Sequence, residues 1–322
     1  MTVPPAAVFS PWRHRLAAFT AACTLLLIFI GGLVTSTGSG LAVPDWPLSY
    51  GMLMPPMVGG VFYEHGHRMA ATFVGLLTTI LAVWTARSEA RAGVRRLAWA
   101  ALLTVIAQGL LGGLTVKFLL PTPVSVAHAC LAQSFFCLVI ALAYATSREF
   151  IGGGGAVAPD DDRAGVRAAA ALATGVVFAQ LAAGAVMRHM GAGLAIPDFP
   201  LAAGRLIPPF DNAGVAVHFA HRVGALLVLA AVARLLVRAG RSRDPRLSRT
   251  SSVALVLVMA QIVLGAATVL SGRAVVPTTA HVAVGAAVLG TCWLVTLRAF
   301  RLRRRPEPLA SAARRIGVAV TP

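Results

Sequence analysis

The sequence is poor in charge. Charged residues make up 12% of the 322-residue chain, where a soluble globular domain carries about 25%. Acidic side chains number only 11, and of the 28 basic ones all but Lys117 are arginine. Cysteine is also scarce. Cys23, Cys130, Cys137 and Cys292 all fall inside apolar runs, with no zinc-motif spacing and no pair in a polar loop. They read as small buried hydrophobes. What is abundant is apolar: 57% of the residues, with a mean hydropathy of +0.79. These shortages exclude a soluble enzyme, a disordered protein and a disulfide-stapled secreted domain. An integral membrane protein of several spans remains.

A span needs about 20 mostly apolar residues. Eight windows qualify: 15–36, 63–86, 95–117, 123–147, 166–188, 215–238, 251–271 and 277–299. The first is too long for the apolar core of a signal peptide and no clear cleavage site follows, so it reads as a signal anchor. No Arg/Ser-rich transit peptide is seen, which points to a bacterial plasma membrane. The net charge of +17 would suggest nucleic acid in a soluble protein. Here 22 of the 28 basic residues fall at the N-terminus, in the even-numbered connections and in the C-terminal tail. The positive-inside rule then puts both termini in the cytoplasm, with no nucleic-acid partner.

The connection after the fourth span, Gly152 to Gly155 followed by Asp160-Asp161-Asp162, reads as a flexible linker over 151–163. It separates two similar halves, 1–150 and 164–322. Residues 38–48 are GSGLAVPDWPL and residues 191–201 are GAGLAIPDFPL, an offset of 153. Gln108 and Gly112 match Gln261 and Gly265 at the same offset. The expected fold is all-α: eight transmembrane helices as two pseudo-symmetric four-helix bundles, a parallel repeat.

Four of the eight histidines register with this repeat. His67 and His128 lie 61 residues apart; His221 and His281 lie 60 apart. Each pair has one member near the outer start of its half's second span and one near that of the fourth. Two imidazoles on facing helices can hold one haem iron axially. A lone intramembrane histidine is often structural, but four in register point to function. A zinc or copper site is weaker, with two imidazoles per half and no helping thiols. Arg68 and Arg222 follow their histidines directly. They suit the haem propionates, or they snorkel to the interface. His14, at the entrance of the first span, reads as a solvated interface residue.

The halves differ at one position. Glu64 precedes His67 by three residues, whereas His218 precedes His221 by three. Residues at i and i+3 share a helix face, so Glu64 is expected in the pocket of His67. There it moves protons or stabilises a developing cation, or it forms an i+4 salt bridge with Arg68. The first half is then the reactive site and the second holds a resident haem. The outer loops, 37–62 and 190–212, are rich in Gly and Pro. Trp46 and Phe199 there are candidate haem-edge caps or interface anchors. Asp45 and Asp198 are candidate helix caps or ligand-orienting groups.

GGLVTSTGSGLAVPDWPL, EHGHR, GAVMRHMGAGLAIPDFPL and HFAHR together resemble the haem A synthase family over roughly residues 15–300. The resemblance implies an oxidoreductase that turns the C8 methyl of haem O into a formyl group, giving haem A for terminal oxidases. It implies that His221 and His281 hold a haem b, that His67 and His128 hold the substrate haem, and that Glu64 is needed for activity. It also implies a haem O synthase upstream, an electron-transfer partner the sequence does not name, and membrane lipid around the chain; a homo-oligomer is compatible with it. Many bacterial members carry a cysteine pair in the first outer loop, where this chain has Val43 and Ser49. A mechanism using that disulfide is therefore closed to it. Two other classes share some of these features. A di-haem electron-transfer cytochrome has the histidines but no catalytic role for Glu64. A transporter usually shows broken helices and polar groups at mid-membrane.

Overall fold

The computed structural model describes residues 9–152, 157–158 and 160–304. Among these residues nine α-helices follow one another: α1 (Pro11–Ser36), α2 (Gly60–Ser88), α3 (Ala92–Lys117), α4 (Thr122–Ala145), α5 (Arg148–Ile151), α6 (Asp160–His189), α7 (Ala213–Arg241), α8 (Pro245–Leu270) and α9 (Val275–Ala299). All but the short α5 are long and apolar enough to cross a bilayer. The chain is a multi-pass, all-α membrane protein. Each spanning helix starts one to six residues before its apolar window, because backbone hydrogen bonding continues into the interface after hydropathy falls. Proline stands in the first turn of α1, α4 and α8, where its missing N–H costs nothing. The Asn212 side chain caps α7 by accepting from the Val215 N–H at 3.0 Å.

The expected linker is partly structured. Its first residue closes α5, and α6 begins at Asp160. Asp162 sits in the first turn of α6, where the helix dipole favours a carboxylate. Val157 and Ala158 pair in parallel with Arg303 and Arg304. Gly153 to Gly155 and the tail beyond Arg304 lie outside the described residues.

Helix α1 packs on α2 and α4, and α3 packs on the same two. Helices α6 to α9 close in the same cyclic order, and the two sets meet along α1–α9, α4–α6 and α4–α9. The inward faces interleave small residues with Leu, Val and Phe. Ala17, Ala82, Ala98 and Ala101 belong to one buried cluster, and Ala169, Ala170, Ala173 and Ala254 to the other. Small side chains let helix backbones approach where lipid gives no hydrophobic drive to associate. Large apolar residues such as Leu103, Leu226 and Val256 point outward. Where the sets meet, Arg188 of α6 donates to the Gly32 carbonyl at 3.1 Å and to Ser36 Oγ at 2.9 Å, both on α1. Trp293 Nε1 of α9 donates to the Cys137 carbonyl on α4 at 2.9 Å. All four cysteines are free; Cys292 is fully buried and the other three are half-buried.

The helix ends richest in arginine are cross-linked by acids. Glu89, just past α2, accepts from Arg13 of α1 at 2.8 Å and from Arg91 Nε at 2.9 Å. The Arg91 side-chain hydrogen bond holds the Glu89 carboxyl down at about 2, against an ordinary 4.5. A lowered folded-state pKa stabilises the fold fully above the unfolded value and loses that contribution as pH falls through the folded one. Thermal stability in detergent should therefore drop from about pH 4.5 towards about pH 2. In a Glu89→Gln variant that part of the drop is expected to disappear. An unchanged profile would show that the pair contributes nothing.

Candidate functional site

The four registered histidines lie within the first turns of α2, α4, α7 and α9, and each ring rests on a glycine of a neighbouring helix. A Cβ built at Gly31 of α1 would lie 3.1 Å from Cε1 of His67. At Gly112 of α3 it would lie 3.2 Å from Cε1 of His128. At Gly184 of α6 the distance to His221 is 2.9 Å, and at Gly265 of α8 the distance to His281 is 3.2 Å. The contact at Gly184 is closer than Cβ atoms essentially ever come, and the other three are tighter than nine in ten real Cβ contacts, so glycine gives each ring room that a side chain would narrow. Gly31 and Gly184, like Gly112 and Gly265, are 153 residues apart. The imidazoles of His221 and His281 face each other with centroids 6.5 Å apart and planes at 65°. Among the described residues no group of three or more His, Cys, Asp or Glu could hold a bare metal ion.

One turn before three of these glycines stands a glutamine. Gln180 Nε2 donates to the His221 carbonyl at 2.7 Å and lies 3.1 Å from Nδ1 of that ring. Gln261 Nε2 donates to the His281 carbonyl at 2.8 Å. His281 Nδ1 donates to the backbone carbonyl of Gln261 at 3.1 Å. Gln108 Nε2 donates to the His128 carbonyl at 3.0 Å. The equivalent residue in α1 is Leu27. The sequence marks Gln108, Gly112, Gln261 and Gly265 as repeat positions without showing what they do, and Gln180, Gly31 and Gly184 were not singled out. The 153-residue offset carried that signal.

Glu64 is buried, and both its oxygens are engaged. Oε1 accepts from Arg68 at 2.7 Å, the i+4 pair weighed above. Oε2 accepts from the Val43 N–H of the outer loop at 2.8 Å. In the second half the Ile196 N–H donates to His218 Nδ1 at 3.3 Å. Glu64 and His218 therefore anchor equivalent loop residues, and only the first does so with a charge. Arg68 also donates to the Asp45 and Leu48 carbonyls, both at 2.8 Å. Arg222 donates to the carbonyls of Leu201 at 2.8 Å, Ile196 at 3.0 Å and Asp198 at 2.7 Å. Each arginine ties its outer loop to the helix that carries its histidine.

Asp45 and Asp198 do not cap helices. Asp45 accepts from the Tyr50 and Gly51 N–H groups, and Asp198 from those of Ala203 and Gly204. Tyr50 and Gly51 have φ of 54° and 71°, as do Ala203 and Gly204, the backbone of a tight reversing turn. The Gly51 N–H holds the Asp45 carboxyl below the usual carboxylate range, and the Gly204 N–H does the same for Asp198. Trp46 lies against α3, where a Cβ at Gly113 would come within 2.6 Å of its ring. Phe199 instead lies beneath Arg222, with Cζ 5.8 Å from the ring centroid. His65, unassigned from sequence, is buried and bonded through Nδ1 to Ser49 Oγ at 2.8 Å. His189 offers its carbonyl to Thr122 Oγ1 at 3.0 Å. His14 is not simply solvated: half-buried, its Nδ1 donates to the Ala143 carbonyl of α4 at 3.1 Å.

Fold and site together define a multi-pass helical membrane protein with paired intramembrane histidines under arginine-held loops. The family model for the cytochrome oxidase assembly proteins, COX15-CtaA, matches residues 14–59 and 58–293, and the chain belongs to this family. It is 36% identical to the Heme A synthase of Symbiobacterium thermophilum over 76% of this chain and 81% of that protein. It is 30% identical to the Heme A synthase of Alkalihalophilus pseudofirmus, over 80% and 87% respectively. A Heme A synthase from Methylobacterium radiotolerans is 27% identical over 86% of each chain.

The loop clamp makes a direct prediction. Removing the Arg222 side chain deletes three charge-assisted hydrogen bonds, each worth about 1.5–3 kcal/mol. In Arg222→Ala, amide exchange across 196–204 should speed by at least about tenfold, the equivalent of about 1.4 kcal/mol. Exchange at the wild-type rate would mean that the loop is held by other contacts.

Proposed function

We propose that this chain is a haem A synthase, a membrane oxidoreductase that converts the C8 methyl of haem O to the formyl group of haem A. The observation that carries this reading is the glycine-seated histidine pair, repeated in both halves of a chain whose relatives are named for that activity. The residues fit a haem. Each metal–imidazole bond is about 2 Å, so an iron between two axial imidazoles separates their centroids by roughly 6 Å. The 6.5 Å between His221 and His281 agrees with that spacing. The glycine seats leave room beside every ring. In the first half, among the described residues, Nδ1 of His67 is buried without a hydrogen-bond partner.

On this reading His221 and His281 hold a resident haem b, which supplies one-electron transfer. His67 and His128 hold the iron of the substrate, haem O, whose isoprenoid tail lies in lipid. Arg68 and Arg222 meet the haem carboxylates with the guanidinium N–H groups that the loop carbonyls leave. The loops they hold keep water from the reacting edge. Glu64 keeps the first pocket's one acidic charge, three residues from a ligand, where positive charge or a proton has to be managed during methyl oxidation. The arginine-rich helix ends face the cytoplasm of a bacterial cell, with both termini there. A haem O synthase delivers the substrate.

A second reading, a di-haem electron-transfer cytochrome, is favoured by one observation: both Glu64 oxygens are already used in structural bonds. Expression with a haem O synthase, followed by chromatography of extracted haems, separates the two. Haem A should appear only when this chain is present. Two unmodified haems and no haem A would support the cytochrome.

Two substitutions divide the roles of Glu64. Glu64→His copies the second half, and Glu64→Gln retains an acceptor for the Val43 N–H; both remove the charge. Each should keep bound haem and lower haem A formation by about 100-fold or more, the scale of a lost proton-transfer group. Full activity in both would leave Glu64 as a loop anchor alone.

A further inference from the structure

The two halves hold their histidines differently. In the second half both Nδ1 atoms are engaged: His221 by Gln180 of α6, and His281 by the Gln261 backbone carbonyl of α8. In the first half, among the described residues, the Nδ1 of His67 is buried with no partner, whereas His128 lies against the Gln108 backbone as His281 lies against that of Gln261. The Gln108 side chain reaches His128 at the carbonyl and, at 3.3 Å, at Nε2, but not at Nδ1.

The difference at the α2 and α7 histidines comes from two positions. Gln180 corresponds to Leu27, which carries no donor. Gly224, one turn after His221, corresponds to Ala70, one turn after His67. A Cβ at Gly224 would fall 2.0 Å from Gln180 Oε1. In this rotamer the glutamine amide fills the space that an alanine Cβ would take, and the first half lacks both members of the pair. An axial imidazole is oriented by whatever holds its second nitrogen, and such partners are worth about 10–100-fold in metal affinity.

We infer that Gln180 and Gly224 form a positioning pair that locks His221 onto a permanent haem, and that Leu27 and Ala70 make His67 the releasable ligand. The same bundle then keeps one haem and exchanges the other, as a synthase that binds substrate and releases product requires. This inference rests on the haem reading of the two histidine pairs given above. It adds which residues set the exchange rate on each side.

The test uses the full-length protein in detergent, loaded with iron protoporphyrin IX, with haem loss to an apoglobin scavenger followed in the Soret band. His67→Ala/His128→Ala and His221→Ala/His281→Ala backgrounds assign each phase to one half. The first-half haem should leave at least about tenfold faster than the second. Leu27→Gln/Ala70→Gly should slow the first-half phase by about that factor. Gln180→Leu should speed the second-half phase similarly, and should shift the midpoint potential and low-spin spectrum of that haem, which a purely structural loss would not do. Equal rates in the two halves, or Gln180→Leu leaving rate, potential and spectrum unchanged, would overturn the inference even if the double variant failed to fold. Absence of a Soret band in every protein would overturn the haem reading itself, and this inference with it.

Discussion

Helix spacing at four points depends on missing side chains. At Gly31, Gly112, Gly184 and Gly265 any Cβ would press on an imidazole carbon at 2.9–3.2 Å. Glycine leaves the interhelical space open for the rings of His67, His128, His221 and His281, and a Cβ at Gly184 would force its ring to shift. In a bilayer, helix contact relies on packing and hydrogen bonding rather than on hydrophobic drive. The glycine seats therefore bear on both the approach of neighbouring helices and the positions of the four registered imidazoles. Glutamines one turn away join three of the histidine backbones to the facing helix.

The outer loops depend on the same helices. In both halves an arginine beside the histidine collects loop carbonyls, and an acceptor three residues before the histidine takes one loop N–H. An aspartate closes the turn by accepting from two successive N–H groups. In the first half that acceptor is a carboxylate ion-paired with the arginine; in the second it is a histidine. The two pockets are thus built on one plan and differ by one charge and one glutamine. In the first outer loop Val43 and Ser49 are both buried, and Ser49 is bonded to His65.

Much of this was legible in the chain. Hydropathy located every span, and the observed helices differ mainly by polar turns that hydropathy cannot register. The repeat, at an offset of 153 or 154 residues, identified the four histidines and the contrast between Glu64 and His218. Other roles were not legible. Asp45 and Asp198 had been candidates for caps or ligand orientation, and they hold turns. Arg68 and Arg222 had been read against haem or interface, and their hydrogen bonds go to loop carbonyls. His14 had been read as solvated, and it joins α1 to α4.

The physical reason is the range of the interactions. A span is a property of about 20 consecutive residues, and a duplication is a property of spacing; both are one-dimensional and survive in the sequence. Which acceptor an arginine finds, or which ring a glutamine reaches 41 residues away, depends on how the helices cross. The sequence alone determined a duplicated eight-span membrane protein with two histidine pairs. Only the tertiary structure decided that glycine makes room for each ring, that Glu64 is tied to its loop, and that the histidines of the second half are held by both ring and backbone while His67 is not.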